Sequence, residues 1–309
     1  MLRGHFLSAA LVSTVALVAG CNSSSTSTSG NAGGQSQGGA GGQSQGGAGG
    51  QSQGGAGGQS QGGGGAGGGS ADALVRVAHL GADAPPVDFC VSADAGATFI
   101  GPVMGGVLGD ADGLAYPEVT TYLALPPATY TVRLVAPGSA DCATSLAGLP
   151  DITGLAVVGG SSYTAAATGL LAAAGEEQPF QVVVYEDANT PATGKINLRV
   201  VHSSPNVPAV DVGILAAGTF TALTEDLAFP DAAQLADIDP VSDLDVSIRL
   251  AGDPNDVLVL EGVTIGADTA VSVFATGIAG GDTNPLGVLV CGDNAPPVGT
   301  LSDCTLVIP

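Results

Sequence analysis

Leu74-Val75-Arg76-Val77-Ala78-His79 sets Val75, Val77 and His79 on one side of an extended chain, and Leu198-Arg199-Val200-Val201-His202 repeats that phase with Leu198, Val200 and His202. A period of two marks a strand, because successive side chains point to opposite faces. The echo is not isolated. Pro85-Pro86-Val87-Asp88 returns as Pro208-Ala209-Val210-Asp211, and Thr131-Val132-Arg133-Leu134 as Ser247-Ile248-Arg249-Leu250. Ala167-Thr168-Gly169 returns as Ala275-Thr276-Gly277, and Val184-Tyr185-Glu186-Asp187 as Val290-Cys291-Gly292-Asp293. Order is kept and only loop lengths change. Two copies of one domain account for this, spanning 71–190 and 191–309, with the boundary near Pro191-Ala192-Thr193-Gly194. Further period-two runs at Val87, Phe89, Val91 and at Tyr130, Val132, Leu134, each matched in the second copy, are separated by Pro, Gly, Asp and Asn. Short strands with such punctuation predict an all-β sandwich in each copy.

Upstream of the first copy the chain changes character. Residues 22–70 carry no charge, and from Ala32 to Gly63 the octapeptide AGGQSQGG occurs four times. A solenoid repeat must bury an apolar face against its neighbour, and this one has only alanine to offer, so a disordered Gly/Gln/Ser linker is expected. As a glycine-rich coil, residues 22–70 reach about 35–42 Å. Before the linker, Arg3 precedes an apolar stretch from about Phe6 to Val18, too short for a bilayer span and shaped like a secretory signal. Its end, Leu17-Val18-Ala19-Gly20-Cys21, resembles the lipobox of bacterial lipoproteins. The expectation is cleavage after residue 20 and acylation of Cys21, with residues 21–70 forming the tether. Two or more acyl chains on one cysteine anchor durably. Asn22 in place of aspartate, by the sorting rule of many Gram-negative bacteria, points to the outer membrane or the cell surface.

The strings VRVAHLGADAPPVDFCV, LPPATYTVRLVAPG and SYTAAATG resemble a bacterial extracellular domain of unknown function, DUF4397. The resemblance covers both copies and is closer in the first, since the second lacks an equivalent of Tyr130. It implies two tandem immunoglobulin-like antiparallel β-sandwiches after the linker, displayed in the cell envelope, and it transfers no activity.

Twenty-eight acidic residues against six basic ones give a formal charge of −22. Phosphate binding needs clustered Lys and Arg, so nucleic acid is excluded as a partner. Arg76 and Asp88, like Arg199 and Asp211, are expected to face each other on the polar side of a hairpin, as structural register markers. His79 and His202 share the apolar face; the expectation is a structural histidine bonded to a loop carbonyl, not a catalytic base. Catalytic sets lack parts: there is neither GxSxG nor HExxH, and tryptophan is absent. Calcium is the metal to consider, with alternate carboxylates at Asp110 and Asp112 and at Asp237 and Asp239. No other cofactor is indicated. Besides Cys21 there are Cys90, Cys142, Cys291 and Cys304, none in CxxC. Of the three possible pairings, 90–142 with 291–304 keeps each bridge inside one copy. The functional expectation is a non-enzymatic, lipid-anchored envelope protein that binds a protein or polysaccharide partner. A spacer of the envelope or matrix without a specific ligand is the alternative, and a hydrolase with an unrecognised site the third.

Overall fold

The computed structural model of the protein describes residues 71–146, 149–294 and 301–308. The expected signal, Cys21 and the tether lie outside the described residues. The first copy supplies β1 (Ala73–His79), β2 (Asp88–Ser92), β3 (Leu123–Leu125), β4 (Ala128–Val135), β5 (Ile152–Val157), β6 (Ser162–Thr168) and β7 (Gln181–Glu186). The second supplies β8 (Ile196–His202), β9 (Val210–Ala216), β10 (Thr219–Leu227), β11 (Ala232–Ile238), β12 (Val241–Leu250), β13 (Asp256–Ile265), β14 (Thr269–Thr276), β15 (Gly287–Gly292) and β16 (Cys304–Val307). They build four sheets, β2-β4-β5 and β3-β1-β6-β7 in the first copy, β11-β8-β14-β15-β16 and β10-β9-β12-β13 in the second. The protein is all-β.

Two local expectations fail. Strands β1 and β2 are not a hairpin: they belong to opposite sheets of the first sandwich, as β8 and β9 do in the second. Nor is every pair antiparallel, for β1 runs parallel to β6 and β8 parallel to β14. Parallel neighbours need a long crossover, and the strands between them, which include the whole of the opposite sheet, supply it.

The period of two then explains the layers. Val75, Tyr130, Val157 and Tyr163 pack between the two sheets of the first copy, and Val200, Val212, Ile248 and Val288 between those of the second. The other faces of β1, β6, β8 and β14 are not solvated. Ala78, Leu80, Val119, Ala166 and Tyr185 of the first copy form one buried cluster with Val201, Phe274, Leu289 and Cys291 of the second. Four sheets therefore stack, and the two inner ones share a core. Phe274, fully buried there, contributes about 1.5–3 kcal/mol by its burial alone.

The recurrent Ala-Thr-Gly has a steric cause. Gly169 and Gly277 close β6 and β14 at φ +90° and +91°, and a Cβ would stand 2.2 Å from the Pro179 carbonyl oxygen in one and 2.1 Å from that of Pro285 in the other. Only glycine fits. A Gly277→Ala substitution should cost at least the 1–3 kcal/mol or so typical of a strained backbone position, read by urea denaturation.

Candidate functional site

The largest concentration of buried charge lies between the copies. Arg76 is on β1 and its counterpart Arg199 on β8, both on the face turned toward the other copy and both fully or almost fully buried. Each arginine hydrogen-bonds a carboxylate of the other copy, Arg76 Nη2 donating to Asp293 and Arg199 Nη1 to Asp187, while Arg76 Nε also stands 3.8 Å from Asp187 of its own copy. Each also meets the hydroxyl opposite it in its own parallel ladder. Arg76 Nε donates to Thr164 Oγ1 at 2.8 Å, and Arg199 Nη2 to Ser272 Oγ at 2.6 Å. Those hydroxyls pass their own protons to the acids, Thr164 to Asp187 at 2.8 Å and Ser272 to Asp293 at 2.7 Å. The arrangement is a two-fold exchange within one chain.

The symmetry breaks at the aromatics. Tyr122 donates its hydroxyl to Asp187 at 2.6 Å and lies under the Arg76 guanidinium, 5.0 Å from the ring centroid. Tyr185 stands under Arg199 at 5.6 Å and donates to the Pro230 carbonyl at 2.5 Å. Burial opposes the charge of Arg76, but Asp293, Tyr122 and Asp187 outweigh it and hold its pKa above the ordinary arginine value. Burial raises the Tyr122 and Tyr185 hydroxyls far above the usual phenol range, so both stay neutral donors.

The expected Arg76–Asp88 and Arg199–Asp211 pairs do not form. Asp88 instead accepts from the backbone amides of Met104 at 2.8 Å and Gly105 at 2.9 Å, pinning a wide helical turn at Met104–Leu108. Asp211 accepts from the amides of Asp226 at 2.9 Å and Gly252 at 3.1 Å. Alternation reveals two faces on β1. It does not reveal that the face bearing Arg76 is covered by another sheet.

His79 and His202 are buried on the inner faces, and the Nε2 of each lies 3.0 Å from a loop carbonyl, that of Pro85 and Pro208 respectively. A carbonyl only accepts, so Nε2 carries the proton and Nδ1 the lone pair. Burial lowers both pKa values, while the loop hydrogen bonds and the charges of Glu118 and Asp231 pull the other way without cancelling it. The unfolded chain thus binds protons that the folded one refuses. Their contribution to stability is complete above pH of about 6.5 and is lost as pH falls through that value toward the lower folded pKa. Thermal melts at pH 7.5 and 5.5 should show a fall that a His79→Gln, His202→Gln variant reduces.

The calcium candidates do not converge. Asp110 accepts from the Asp112 amide at 3.1 Å, Asp237 from the Ala192 amide at 2.7 Å, and Asp239 pairs with Lys195 at 2.7 Å. The two pairs stand in different copies, and no group of three or more metal-ligating side chains occurs among the described residues. Cys90 is bonded to Cys142 and Cys291 to Cys304.

A second feature has no trace in sequence motifs. Between the sheets of the first copy lies a cavity of about 320 Å³, lined by Val75, Val77, Leu155 and Ala165 among other apolar side chains, and by His79. Two of its lining residues, Ile100 and Val107, are 67% and 62% exposed, which places a mouth there. Three buried side-chain polar atoms among the described residues have no hydrogen-bond partner: His79 Nδ1, Arg199 Nε and Ser203 Oγ.

Residues 73–213 match the family model described as a domain of unknown function, DUF4397. The match takes in all seven strands of the first copy, β8 of the second and the start of β9. No curated protein matches the chain.

Proposed function

We propose that this protein, whose residues 73–213 match the DUF4397 family model, is a non-catalytic lipoprotein of the bacterial cell envelope that holds a rigid binding head away from the membrane. Cys21 carries the acyl anchor, residues 22–70 give reach, and the head presents its acidic surface to a protein or polymer partner. The observation that carries this reading is where the buried charge of the head is spent. Arg76, Arg199, Asp187 and Asp293 hold the copies together, Asp88 holds a turn, and both histidines hold loops. A general acid or base needs a carboxylate or imidazole free to meet substrate; the buried carboxylates are committed to the fold, and each histidine has its Nε2–H committed to a loop carbonyl. With every acid of the chain, its surface is repelled by anionic headgroups, which suits display on a tether.

The anchor is tested by Cys21→Ser. The variant should leave the membrane fraction and appear in the soluble one, with the head's thermal transition unchanged. Retention of the variant on membranes after a salt wash would refute the anchor and the display role together. Deleting two of the AGGQSQGG repeats should lower capture of a large partner and leave stability alone.

A further inference from the structure

We propose that the cavity in the first copy is a binding site for a small, neutral, apolar molecule carrying one hydroxyl group, which donates to His79 Nδ1. This does not rest on the anchor. Three independent features lead to it. The first is size: at about 30 Å³ per water-sized group, 320 Å³ accommodates about ten non-hydrogen atoms, at the small end of ligand pockets.

The second is access. In the second copy, β9 is flanked by β10, which seals that edge of the outer sheet. Among the described residues of the first copy no strand takes that place. The free edge at β2 carries two isolated bridges, from Val91 to Ile100 and from Val87 to Leu114, and between them lies the turn at Met104–Leu108 that Asp88 pins. Ile100 and Val107 flank the opening that remains. Two positions of the inner sheet are also smaller than their counterparts: Val75 stands where the second copy has Leu198, and Ala165 where it has Val273. The first copy is thus open at an edge and thinned along β1 and β6.

The third is chemistry. The lining contains no cation, so a carboxylate placed there would be a buried charge without a partner. Tyr130, the other polar side chain of the wall, already donates its hydroxyl to the Pro126 carbonyl at 2.8 Å. His79 is different. Its Nε2–H is spent on Pro85, and its Nδ1 is buried with no partner. In the second copy the equivalent His202 Nδ1 accepts from the Ser204 amide at 3.3 Å. An unpartnered acceptor in an apolar chamber selects a donor, and leaving such an atom unmade costs about 1–3 kcal/mol. A hydroxyl supplies that donor without bringing charge; burial keeps the imidazole neutral and its lone pair available.

The test uses the full chain carrying Cys21→Ser, so that no acyl chain competes, titrated with 1-octanol and with octanoate at pH 8 by calorimetry. 1-Octanol should bind at one site per chain, with octanoate at least tenfold weaker. Ala165→Leu, which fills the chamber from β6, should abolish the octanol heat. Because a core variant can misfold, Val107→Asp serves beside it: the residue is exposed, so the fold is kept, and a carboxylate at the mouth should weaken octanol binding at least fivefold. No heat with 1-octanol, or heat that neither variant changes, overturns the site. Octanoate bound as tightly as octanol overturns the role of His79.

Discussion

Replacing Asp187 by alanine should destabilise the head by about 3–5 kcal/mol in urea denaturation, the range for breaking a buried ion pair from one side. Asp187 accepts from Arg199, from Thr164 and from Tyr122. Its removal leaves the Arg199 guanidinium, already short of a partner at Nε, buried without a counter-charge, and orphans two hydroxyls. Among the described residues Asp293 accepts from Arg76 and Ser272 at its side chain, and it is slightly more open, at 5% side-chain exposure against 0% for Asp187. Asp293→Ala should therefore cost less than Asp187→Ala. The exposed Lys195–Asp239 pair is the control, where Asp239→Ala should change stability by no more than about 1 kcal/mol. The prediction fails if Asp187→Ala costs under about 1 kcal/mol, or if the order of the two acids is reversed.

The same substitution bears on cooperativity. The copies share no sheet, so they are held by the cluster around Phe274 and by the exchanged Arg–Asp pairs. A wild-type head with this interface should unfold in one transition. Loosening it at Asp187 should separate the copies into two, visible as a broadened melt with a lower denaturant slope. The pairs are specific as well as costly: each arginine finds its acid only when β7 and β15 bring their ends together in one register.

Much of this fold is legible from phase alone. The inner faces at Val75, Val77 and His79, and at Leu198, Val200 and His202, follow directly from the alternation, and so does the all-β class. Alternation misplaces Arg76 because it says which residues share a face and nothing about what covers it. A signal is nevertheless present. Where Val184-Tyr185-Glu186-Asp187 becomes Val290-Cys291-Gly292-Asp293, the aromatic and the glutamate are lost while the final acid is retained, as the arginine is at 76 and 199. The charges kept in the matched strings are Arg76/Arg199, Asp88/Asp211, Arg133/Arg249 and Asp187/Asp293, and such kept charges are candidates for paired or buried positions. The cavity is not legible. It depends on a missing edge strand and on Val75 and Ala165 being small, which matter only once the sheets are stacked. The parallel pairing of β1 with β6 is hidden for a similar reason, since strand periodicity carries no direction.

Removing the Cys90–Cys142 bridge should cost more than removing Cys291–Cys304, though the second sits in the shared core. A disulfide acts mainly by restricting the unfolded chain, and more so when it closes a longer loop. The bridges join residues 52 and 13 apart, which corresponds to about 4 and about 3 kcal/mol at 25 °C. The folded state widens the gap. Cys291 and Cys304 face each other in the β15–β16 ladder, so the ladder still holds their strands when the sulfurs are gone. Cys142 lies in a loop outside any strand, tied to β4 by Arg133, whose Nη1 donates to the Cys142 carbonyl at 2.9 Å and whose fork grips Asp151 at 2.8 and 2.7 Å. That grip is partly exposed and cannot replace a covalent bond. Cys90→Ala, Cys142→Ala should lower the urea midpoint more than Cys291→Ala, Cys304→Ala does, and should raise amide exchange in β4 and β5 before any other strands. If the 291–304 variant is instead the less stable of the two, loop closure is not what these bridges supply, and the packing of Cys291 against Phe274 and Leu289 in the shared core is the larger contribution.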